Sequence, residues 1–293
     1  MHILLLGGSG RLGNAMQRLW TDHTIVAPEP TEVDILNAEQ LAQTLDTVKP
    51  ELVVNTAAYN NVDGAEGAER EICFTLNAEA PGLLARLTAE RNLPFIHFST
   101  DYIFDGTKQE GYIETDEPAP LSAYGQSKLE GEQNALRDNP RTYIIRTSRL
   151  YGPAATFAGA KPSFIELIIR DAQHAESFLV NRAEVSAPTH VDDLTRHIAE
   201  HILPLQNAPG IYHMSNQGGA TWFEWASEII DILKLPVTIS PRDPATMTRA
   251  AKRPDYSIIV STKLPSMRPW QEALRAYLTS RSWEFKPVWQ PSK

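Results

Sequence analysis

The sequence predicts an α/β fold in which a doubly wound parallel sheet is followed by a smaller C-terminal domain. Two observations support this: short apolar runs alternate with amphipathic stretches through the first half, and a glycine-rich turn follows the first run. The strand-like runs are residues 3–6, 24–27, 52–55, 95–98 and 143–146, and the helical patterns include residues 38–48 and 80–91. Because strands of a parallel sheet are buried on both faces, the continuous apolar runs 52–54 and 95–98 suit its centre.

The boundary between the two domains is expected near residue 150, where the alternation weakens and Pro, Arg and Trp become prominent. We predict a first domain over residues 1–150 and a second over residues 151–293, with parts of 186–215 returning to the first. Residues 236–254 contain four prolines, and such a long connection suits a lid or binding loop over the first domain.

Composition narrows the class of protein. The net charge of −9 and the absence of any Lys or Arg run argue against nucleic acid or an anionic membrane as a partner. Cys73 is the single cysteine, which excludes an internal disulfide and fits a reducing compartment, so a cytoplasmic location is predicted. The apolar start stops at Gly7 and reads as a strand, and no apolar run reaches the roughly 18 residues of a membrane-spanning helix.

The glycine-rich turn predicts a dinucleotide site. Gly7, Gly10 and Gly13 follow the first strand directly, and Arg11 and Leu12 open a helical pattern. Small residues allow a tight turn and close approach of the backbone, while the helix N-terminus offers N–H groups to a pyrophosphate. After the first strand of a βαβ pattern, this turn predicts a Rossmann-type domain.

The end of the second strand favours NADP(H) and leaves NAD(H) open. An acidic residue there would hold the ribose 2′-hydroxyl of NAD, but this strand runs into Pro28, with Glu29 one place later. Arg11 lies in the glycine turn, where it could meet a 2′-phosphate. The residues expected to flank adenine and pyrophosphate are Asp34, Ile35, Ala57, Ala58 and Tyr59.

The fourth strand and the helix after it predict the catalytic residues. The strand runs into Ser99 and Thr100, and Tyr124 and Lys128 follow at helical i, i+4 spacing, on one helix face. A free Tyr, with a pKa of about 10, exchanges protons poorly near neutral pH. A neighbouring ammonium stabilises its phenolate and so lowers that pKa. Tyr124 is therefore predicted as the proton donor to a carbonyl, with Thr100 donating a hydrogen bond to its oxygen. Ser99, Tyr124 and Lys128 are also expected to contact the cofactor.

Together these motifs resemble the extended short-chain dehydrogenases/reductases, and within them the dTDP-4-dehydrorhamnose reductase family. The resemblance covers nearly the whole chain. Its motifs are residues 7–13, 55–59, 62–66, 99–106, 114–116, 120–121, 146–148, 187–189, 193–194 and 253–254. It implies reduction of the 4-keto group of a nucleotide-linked deoxysugar, with a hydride from the nicotinamide. It also implies substrate contacts from Thr100, Asp101, Phe104, Arg149, Ser186, Arg253 and Tyr256.

Departures from the family pattern gather on the substrate side. Arg149 stands where the family usually has Trp, and residues 183–186, which end at Ser186, replace the usual Asp-Gln-x-Gly. Tyr256 stands where Asn is usual. The resemblance therefore implies the type of reaction more strongly than it implies the substrate. Arg149 is expected either to pair with an anionic substrate group or to form a structural salt bridge.

Two alternatives remain open at this stage. One is a reductase or epimerase of another keto sugar or of a non-sugar carbonyl. The other is a non-catalytic regulatory subunit, since relatives of this family resemble the β-subunit of methionine adenosyltransferase; the presence of Thr100, Tyr124 and Lys128 favours catalysis.

No metal site is predicted, because Asn14 and Ala15 place no carboxylate near the first helix. A homodimer is compatible with the sequence.

Overall fold

The structure, a computed structural model, describes residues 1–157, 160–243 and 246–288. Its strands are β1 (His2–Leu6), β2 (Thr24–Val26), β3 (Leu52–Asn55), β4 (Phe95–Thr100), β5 (Thr142–Thr147), β6 (Leu150–Tyr151), β7 (Ser177–Asn181), β8 (Val185–Ser186), β9 (Thr189–His190), β10 (Gly210–His213), β11 (Ala220–Thr221) and β12 (Thr238–Arg242). Its α-helices are α1 (Arg11–Leu19), α2 (Ala38–Val48), α3 (Arg70–Phe74), α4 (Ala80–Glu90), α5 (Ala123–Asp138), α6 (Phe164–His174), α7 (Val191–His201), α8 (Trp222–Leu233) and α9 (Trp270–Thr279).

A six-stranded parallel sheet organises the first part of the chain, which confirms the predicted Rossmann-type α/β fold. The strand order is β10-β5-β4-β3-β1-β2, and each neighbouring pair is parallel. The order reverses between β1 and β3, whose last residues, Leu6 and Asn55, are partners in the register. In open sheets of this kind ligands bind beyond the carboxyl ends of the strands at such a reversal.

Apolar layers cover both faces of the sheet. One buried cluster joins the sheet to α1 and α7, and includes Leu12, Met16, Leu194 and Ile198. The opposite cluster joins it to α2, α4 and α5. Because parallel strands must be covered on both faces, this arrangement explains why β3 and β4 are buried along their whole length.

The second half of the chain supplies one strand of the main sheet and a separate apolar core. Strand β10 pairs with β5, so residues 210–213 lie in the sheet. The other core contains α6, α8 and α9 around Trp225. Residues 236–254 are not wholly irregular, since β12 pairs in parallel with β7. The boundary near residue 150 stays a prediction.

No helix within residues 1–157, 160–243 and 246–288 is long and apolar enough to cross a bilayer.

A buried ion pair fastens α5 to the sheet. The Arg146 guanidinium on β5 donates to both carboxylate oxygens of Glu132, at 3.0 Å and 2.7 Å. Both side chains are 2% exposed. Arg146 also contacts His213 Nε2 of β10 at 3.3 Å. Because an uncompensated charge is costly in a low-dielectric interior, the pair requires α5, β5 and β10 to assemble together.

We expect Glu132→Gln to lower the free energy of unfolding by about 3–5 kcal/mol, the scale for removing one partner of a buried pair. The matched control is Glu228→Gln, which removes the partner of the exposed Arg275 and should cost about 0–1 kcal/mol. Urea unfolding of both variants measures the difference. Equal small losses would mean that the buried pair contributes no more than an exposed one.

Candidate active site

The glycine turn lies at the point where the strand order reverses. Gly7 has a φ of +80°, in the left-handed region that favours glycine. A Cβ on Gly13 would lie 2.4 Å from the Gly7 carbonyl oxygen, so a side chain there would displace the turn. Among the residues that the structure describes, a Cβ on Gly10 would have only the Gly7 oxygen within 4 Å, at 3.1 Å, and Gly10 caps α1 without a side-chain hydrogen bond. The turn therefore leaves open space before the uncapped N-terminus of α1.

A cavity of about 710 Å³ extends from this turn to the carboxyl ends of β4 and β5. Many of the residues predicted from sequence share this cavity. They are Gly10, Arg11, Leu12, Gly13, Ala58, Tyr59, Ser99, Thr100, Tyr124, Lys128 and Arg149. The structure thus brings the predicted catalytic residues and the glycine turn to one cavity.

Lys128 is positioned by α5 and by the end of β4. Ser122 caps the helix by accepting a hydrogen bond from Gly125 N at 3.1 Å. Tyr124 and Lys128 therefore lie near the start of the helix, one turn apart. The Lys128 ammonium is 3% exposed and donates to the Phe98 carbonyl oxygen at 2.5 Å. Burial lowers the pKa of Lys128 to about 8, against the opposing effect of the Glu132 carboxylate. The side chain therefore stays charged near neutral pH.

The Tyr124 phenol lies beside Thr100. Burial raises the pKa of Tyr124, and a hydrogen bond with the Thr100 side chain opposes that rise. The Tyr124 ring also meets the Tyr102 ring edge-on, with centroids 6.2 Å apart. A phenol held neutral in the same cavity as a buried ammonium is suited to give a proton to a ligand oxygen.

Some predicted cofactor residues do not line the cavity. Ala57 and Gly7 support the turn, since a Cβ on Gly7 would lie 2.6 Å from Ala57 N. Asp34 is exposed and accepts a hydrogen bond from Leu36 N at 2.9 Å. Ile35 packs against the core on the α2 side of the sheet. Cofactor contacts from Asp34 and Ile35 stay predictions.

Arg11 lines the cavity, but its guanidinium has partners of its own. It donates to the Gly152 carbonyl, and to the Pro153 carbonyl at 2.9 Å. Its other end lies 3.5 Å from the Glu166 carboxylate. Arg11 therefore holds the segment after β6 against the glycine turn. Its contact with a 2′-phosphate stays a prediction, and such a contact requires Arg11 to give up one of these partners.

Phe104 differs from the prediction that it contacts substrate. Its ring is fully buried and stacks on Tyr112, with centroids 4.2 Å apart and an angle of 12°. The Arg146 guanidinium lies 5.4 Å from the ring centroid. Phe104 packs in the core behind the site, because the apolar cluster of Ile103 and Ile259 encloses it.

The other predicted substrate residues lie just outside the cavity lining. Asp101 is buried and bonded to Ser186, whose Oγ donates to Oδ2 at 2.7 Å. Arg253 forms an ion pair with Asp63 at 2.7 Å. Tyr256 is half-buried and pairs with Val185 through a β-bridge. Their contacts with substrate stay predictions.

Arg149, which follows β5, is one of the cationic residues that line the cavity. It has a φ of 40°, in the left-handed region. Its two terminal nitrogens donate to the carbonyl oxygens of Ala220 at 2.6 Å and Glu184 at 2.9 Å. The guanidinium lies 4.1 Å from the Trp222 ring centroid, and its Nε is buried without a partner among the described residues. Burial lowers the pKa of Arg149.

Several lining residues were given no role in the site from the sequence. They are Thr56, Asn60, Asn61, Glu69, Leu76, Phe98, Thr147, Ser148, Leu150, Ala155, Phe157, Ala160 and Lys161. Thr56, Thr147 and Ser148 lie at or just beyond the carboxyl ends of β3 and β5, and that position was a usable signal. Residues 155–157 and 160–161 carry no motif. The contacts of Arg11 with Gly152 and Pro153 hold the chain just before them, and Thr156 N donates to Ser9 O at 2.9 Å.

The fold and the site define an NAD(P)-dependent oxidoreductase: a glycine turn at the reversal of a parallel sheet shares one cavity with a Tyr and Lys pair. Comparison with known proteins gives the family. The family model described as "RmlD substrate binding domain" matches residues 1–282, and the chain belongs to this family.

Similar proteins cover nearly the whole chain. The dTDP-4-dehydrorhamnose reductase of Aggregatibacter actinomycetemcomitans is 31% identical over 94% of this chain and 97% of its own length. A probable dTDP-4,6-dihydroxy-2-methyloxan-3-one 4-ketoreductase of Streptomyces antibioticus is 33% identical over 94% of each chain. The crystal structure of the Bacillus anthracis dTDP-4-dehydrorhamnose reductase in complex with NADP superposes with a TM-score of 0.89 and 30% identity, over 95% of this chain and 99% of that chain.

We expect Arg11→Ala to weaken NADPH binding by about tenfold and NADH binding by less, because only NADPH carries a 2′-phosphate for which the guanidinium would exchange a carbonyl partner. Quenching of protein fluorescence by each cofactor measures both dissociation constants. Arg18→Ala, which removes an Arg from the same helix, is the control. Equal weakening of the two cofactors by Arg11→Ala would leave Arg11 only the role of holding the segment after β6.

Proposed function

We propose that the protein uses NADPH, and NADH less well, to reduce the 4-keto group of a nucleotide-linked deoxysugar. The observation that carries the proposal is the single cavity that joins the glycine turn to Thr100, Tyr124 and Lys128. The named activities of the similar proteins from Aggregatibacter and Streptomyces, both of them reductions, support it.

The residues around the glycine turn fit a dinucleotide. The uncapped N-terminus of α1 and the open space at Gly10 suit a pyrophosphate, for which the nine-residue helix supplies free N–H groups and the positive end of its dipole. Gly10, Leu12 and Gly13 would hold the pyrophosphate, and Ser99 and Lys128 lie toward the other end of the cavity. When bound, the nicotinamide supplies the hydride that reduces the carbonyl carbon.

Tyr124 provides the proton that completes the reduction. As the carbonyl oxygen gains negative charge, the Tyr124 phenol transfers its proton to that oxygen and becomes a phenolate, so a ketone becomes a secondary alcohol. The Lys128 ammonium stabilises the phenolate, and its pKa of about 8 keeps it charged at neutral pH. Thr100 donates a hydrogen bond to the same oxygen, which lowers the energy of the transition state.

The identity of the sugar is set on the side of the cavity that carries Arg149. The Streptomyces relative is named for a different 4-keto sugar from the one that the rhamnose enzymes reduce. A guanidinium that lines the cavity favours a substrate group that accepts hydrogen bonds or carries negative charge. We therefore propose a nucleotide-linked 4-keto sugar as the substrate class, without fixing the base or the sugar.

Location and assembly belong to the same proposal. The single cysteine supports a reducing compartment, and hence the cytoplasm. A homodimer stays a prediction, which sedimentation of the purified protein tests.

The test of function is NADPH oxidation with a panel of nucleotide-linked 4-keto sugars, in wild type and in Tyr124→Phe. We expect the substitution to lower kcat about 100-fold or more, the scale for losing a positioned general acid, and to leave the dissociation constant of NADPH nearly unchanged. Tyr102→Phe, beside it, is the matched control and should keep most of the activity. A Tyr124→Phe enzyme with more than about a third of wild-type turnover would contradict the assignment.

The regulatory alternative gives a different result in the same experiment. A non-catalytic subunit would show no turnover on any member of the panel, and a pull-down from its source would return an enzyme in stoichiometric amount. NADPH binding alone would not separate the two functions, so turnover is the deciding measurement.

We expect Arg149→Trp to raise kcat/KM for dTDP-4-dehydrorhamnose relative to a 4-keto sugar nucleotide with an acidic substituent, because the change removes a fixed cation and restores a flat apolar surface. The ratio of the two kcat/KM values in wild type and variant measures the effect. Arg196→Trp, an exposed position on α7, is the control. An unchanged ratio would give Arg149 a purely structural role, through its bonds to Ala220 and Glu184.

A further inference from the structure

We propose that Asp101 is a positioning residue which, in its protonated form, turns the hydroxyl proton of Thr100 toward the substrate carbonyl. The inference rests on the proposed reduction. It differs from the sequence prediction, in which Asp101 touches the sugar, because the carboxyl is 2% exposed.

Three hydroxyl groups surround the Asp101 carboxyl. Ser186 and Ser257 donate to Oδ2, at 2.7 Å and 2.5 Å. Oδ1 faces Thr100 Oγ1 at 3.0 Å. Ser186 and Ser257 belong to the second half of the chain, and Ser186 is one of the residues that depart from the family pattern. The carboxyl thus joins two segments of that half to the catalytic Thr100.

The two carboxyl oxygens have different roles. Oδ2 accepts two hydroxyl protons and so has no lone pair to spare for a proton of its own, whereas Oδ1 can carry one. A threonine hydroxyl has one proton and two lone pairs. The Thr100 oxygen accepts a hydrogen bond from Tyr102 N at 3.2 Å. One lone pair and the proton remain, and the groups that compete for them are Asp101, Tyr124 and a bound carbonyl.

Protonation of Oδ1 decides that assignment. An ionised Asp101 takes the Thr100 proton, and Thr100 then has none to donate to the substrate. A protonated Oδ1 instead donates to the remaining lone pair of Thr100, and the hydroxyl proton is free to point into the cavity. Only the second arrangement supplies the hydrogen bond that would polarise the carbonyl.

The surroundings of Asp101 favour the protonated form. Burial raises its pKa above the ordinary value, more than Ser257, Ser186, Arg149 and Thr100 lower it. The charged or titratable groups that face it are Arg149, which follows β5, and Tyr102 and Tyr124, whose own pKa values Asp101 helps to raise. Glu184, near β8, acts in turn on Arg149 and Tyr102.

Asp101→Asn tests the proposal, because its amide reproduces the protonated carboxyl. The amide oxygen replaces Oδ2 before the two serine donors, and the NH2 group replaces Oδ1 and donates to Thr100. We expect Asp101→Asn to keep kcat within about threefold of wild type. Asp101→Ala should lower kcat about 100-fold, as for loss of one donor to a developing oxyanion, with little change in NADPH binding.

A double-mutant cycle shows whether Asp101 acts through Thr100. In a Thr100→Val background, Asp101→Asn and Asp101→Ala should have the same kcat within about twofold, because the group that Asp101 orients is gone. If Asp101→Ala does not fold, Ser257→Ala replaces it, with an expected fall in kcat of about threefold to tenfold. Ser227→Ala, which removes a hydroxyl bonded only to Phe223 O on α8, is the matched control and should keep wild-type activity.

A second measurement needs no substrate. A carboxyl whose pKa is raised on folding stabilises the protein below its unfolded pKa, and that contribution is lost as the pH rises through the folded pKa. The Asn amide does not titrate. The Tm of wild type minus that of Asp101→Asn should therefore fall as the pH rises above about 4, the ordinary pKa of an aspartate in an unfolded chain.

Two outcomes would overturn the proposal. One is an Asp101→Asn enzyme as slow as Asp101→Ala while wild type turns over, since the ionised carboxylate would then be the working form. The other is a Tm difference that rises with pH. Failure of the proposed reduction looks different: wild type would reduce no keto sugar, while the Tm difference would still report the protonation of Asp101.

Discussion

Burial of the Lys128 ammonium is the constraint on which the rest of the site depends. In the proposed reduction its charge would stabilise the Tyr124 phenolate, yet burial penalises that charge and lowers the pKa of Lys128 to about 8. The Phe98 carbonyl compensates it directly, and Glu132 does so one helical turn away. Glu132 is itself neutralised by Arg146. The catalytic charge is therefore held by a series of buried groups that runs from α5 into the sheet.

The series of buried groups that runs through Lys128, Glu132 and Arg146 extends to β10, a strand from the second half of the chain. His213 of β10 meets the Arg146 guanidinium, and burial with the nearby Arg146 charge lowers the pKa of His213 to about 4. A neutral imidazole can accept from Arg146 without adding a charge. The Glu114 carboxylate then binds the His213 backbone N–H at 3.2 Å. Strand β10 thus completes the polar surroundings of the site as well as the sheet.

Much of the fold and the cofactor side followed from sequence, and most of the substrate side did not. Gly13 is required by a tight turn, and Lys128 follows Tyr124 at a helical repeat after a buried strand. Both patterns extend over only a few residues, so the sequence shows them directly. Asp101, Phe104 and Arg149 depend on what lies opposite them. Phe104 is enclosed by Tyr112, and Asp101 by hydroxyls from distant segments. The spacing of residues along the chain does not predict contacts between such distant segments.

Arg149 shows how a substitution can change the chemistry of a pocket while keeping its shape. The guanidinium is planar, and the Trp222 ring stacks against it at 4.1 Å. A flat side chain therefore stands where the resemblance leads one to expect an indole, but it carries a positive charge. The carbonyls of Ala220 and Glu184 hold it in place. Because β11 and the segment before β8 supply those carbonyls, the position of Arg149 is coupled to the packing of the second half of the chain, from which Ser186 also reaches Asp101.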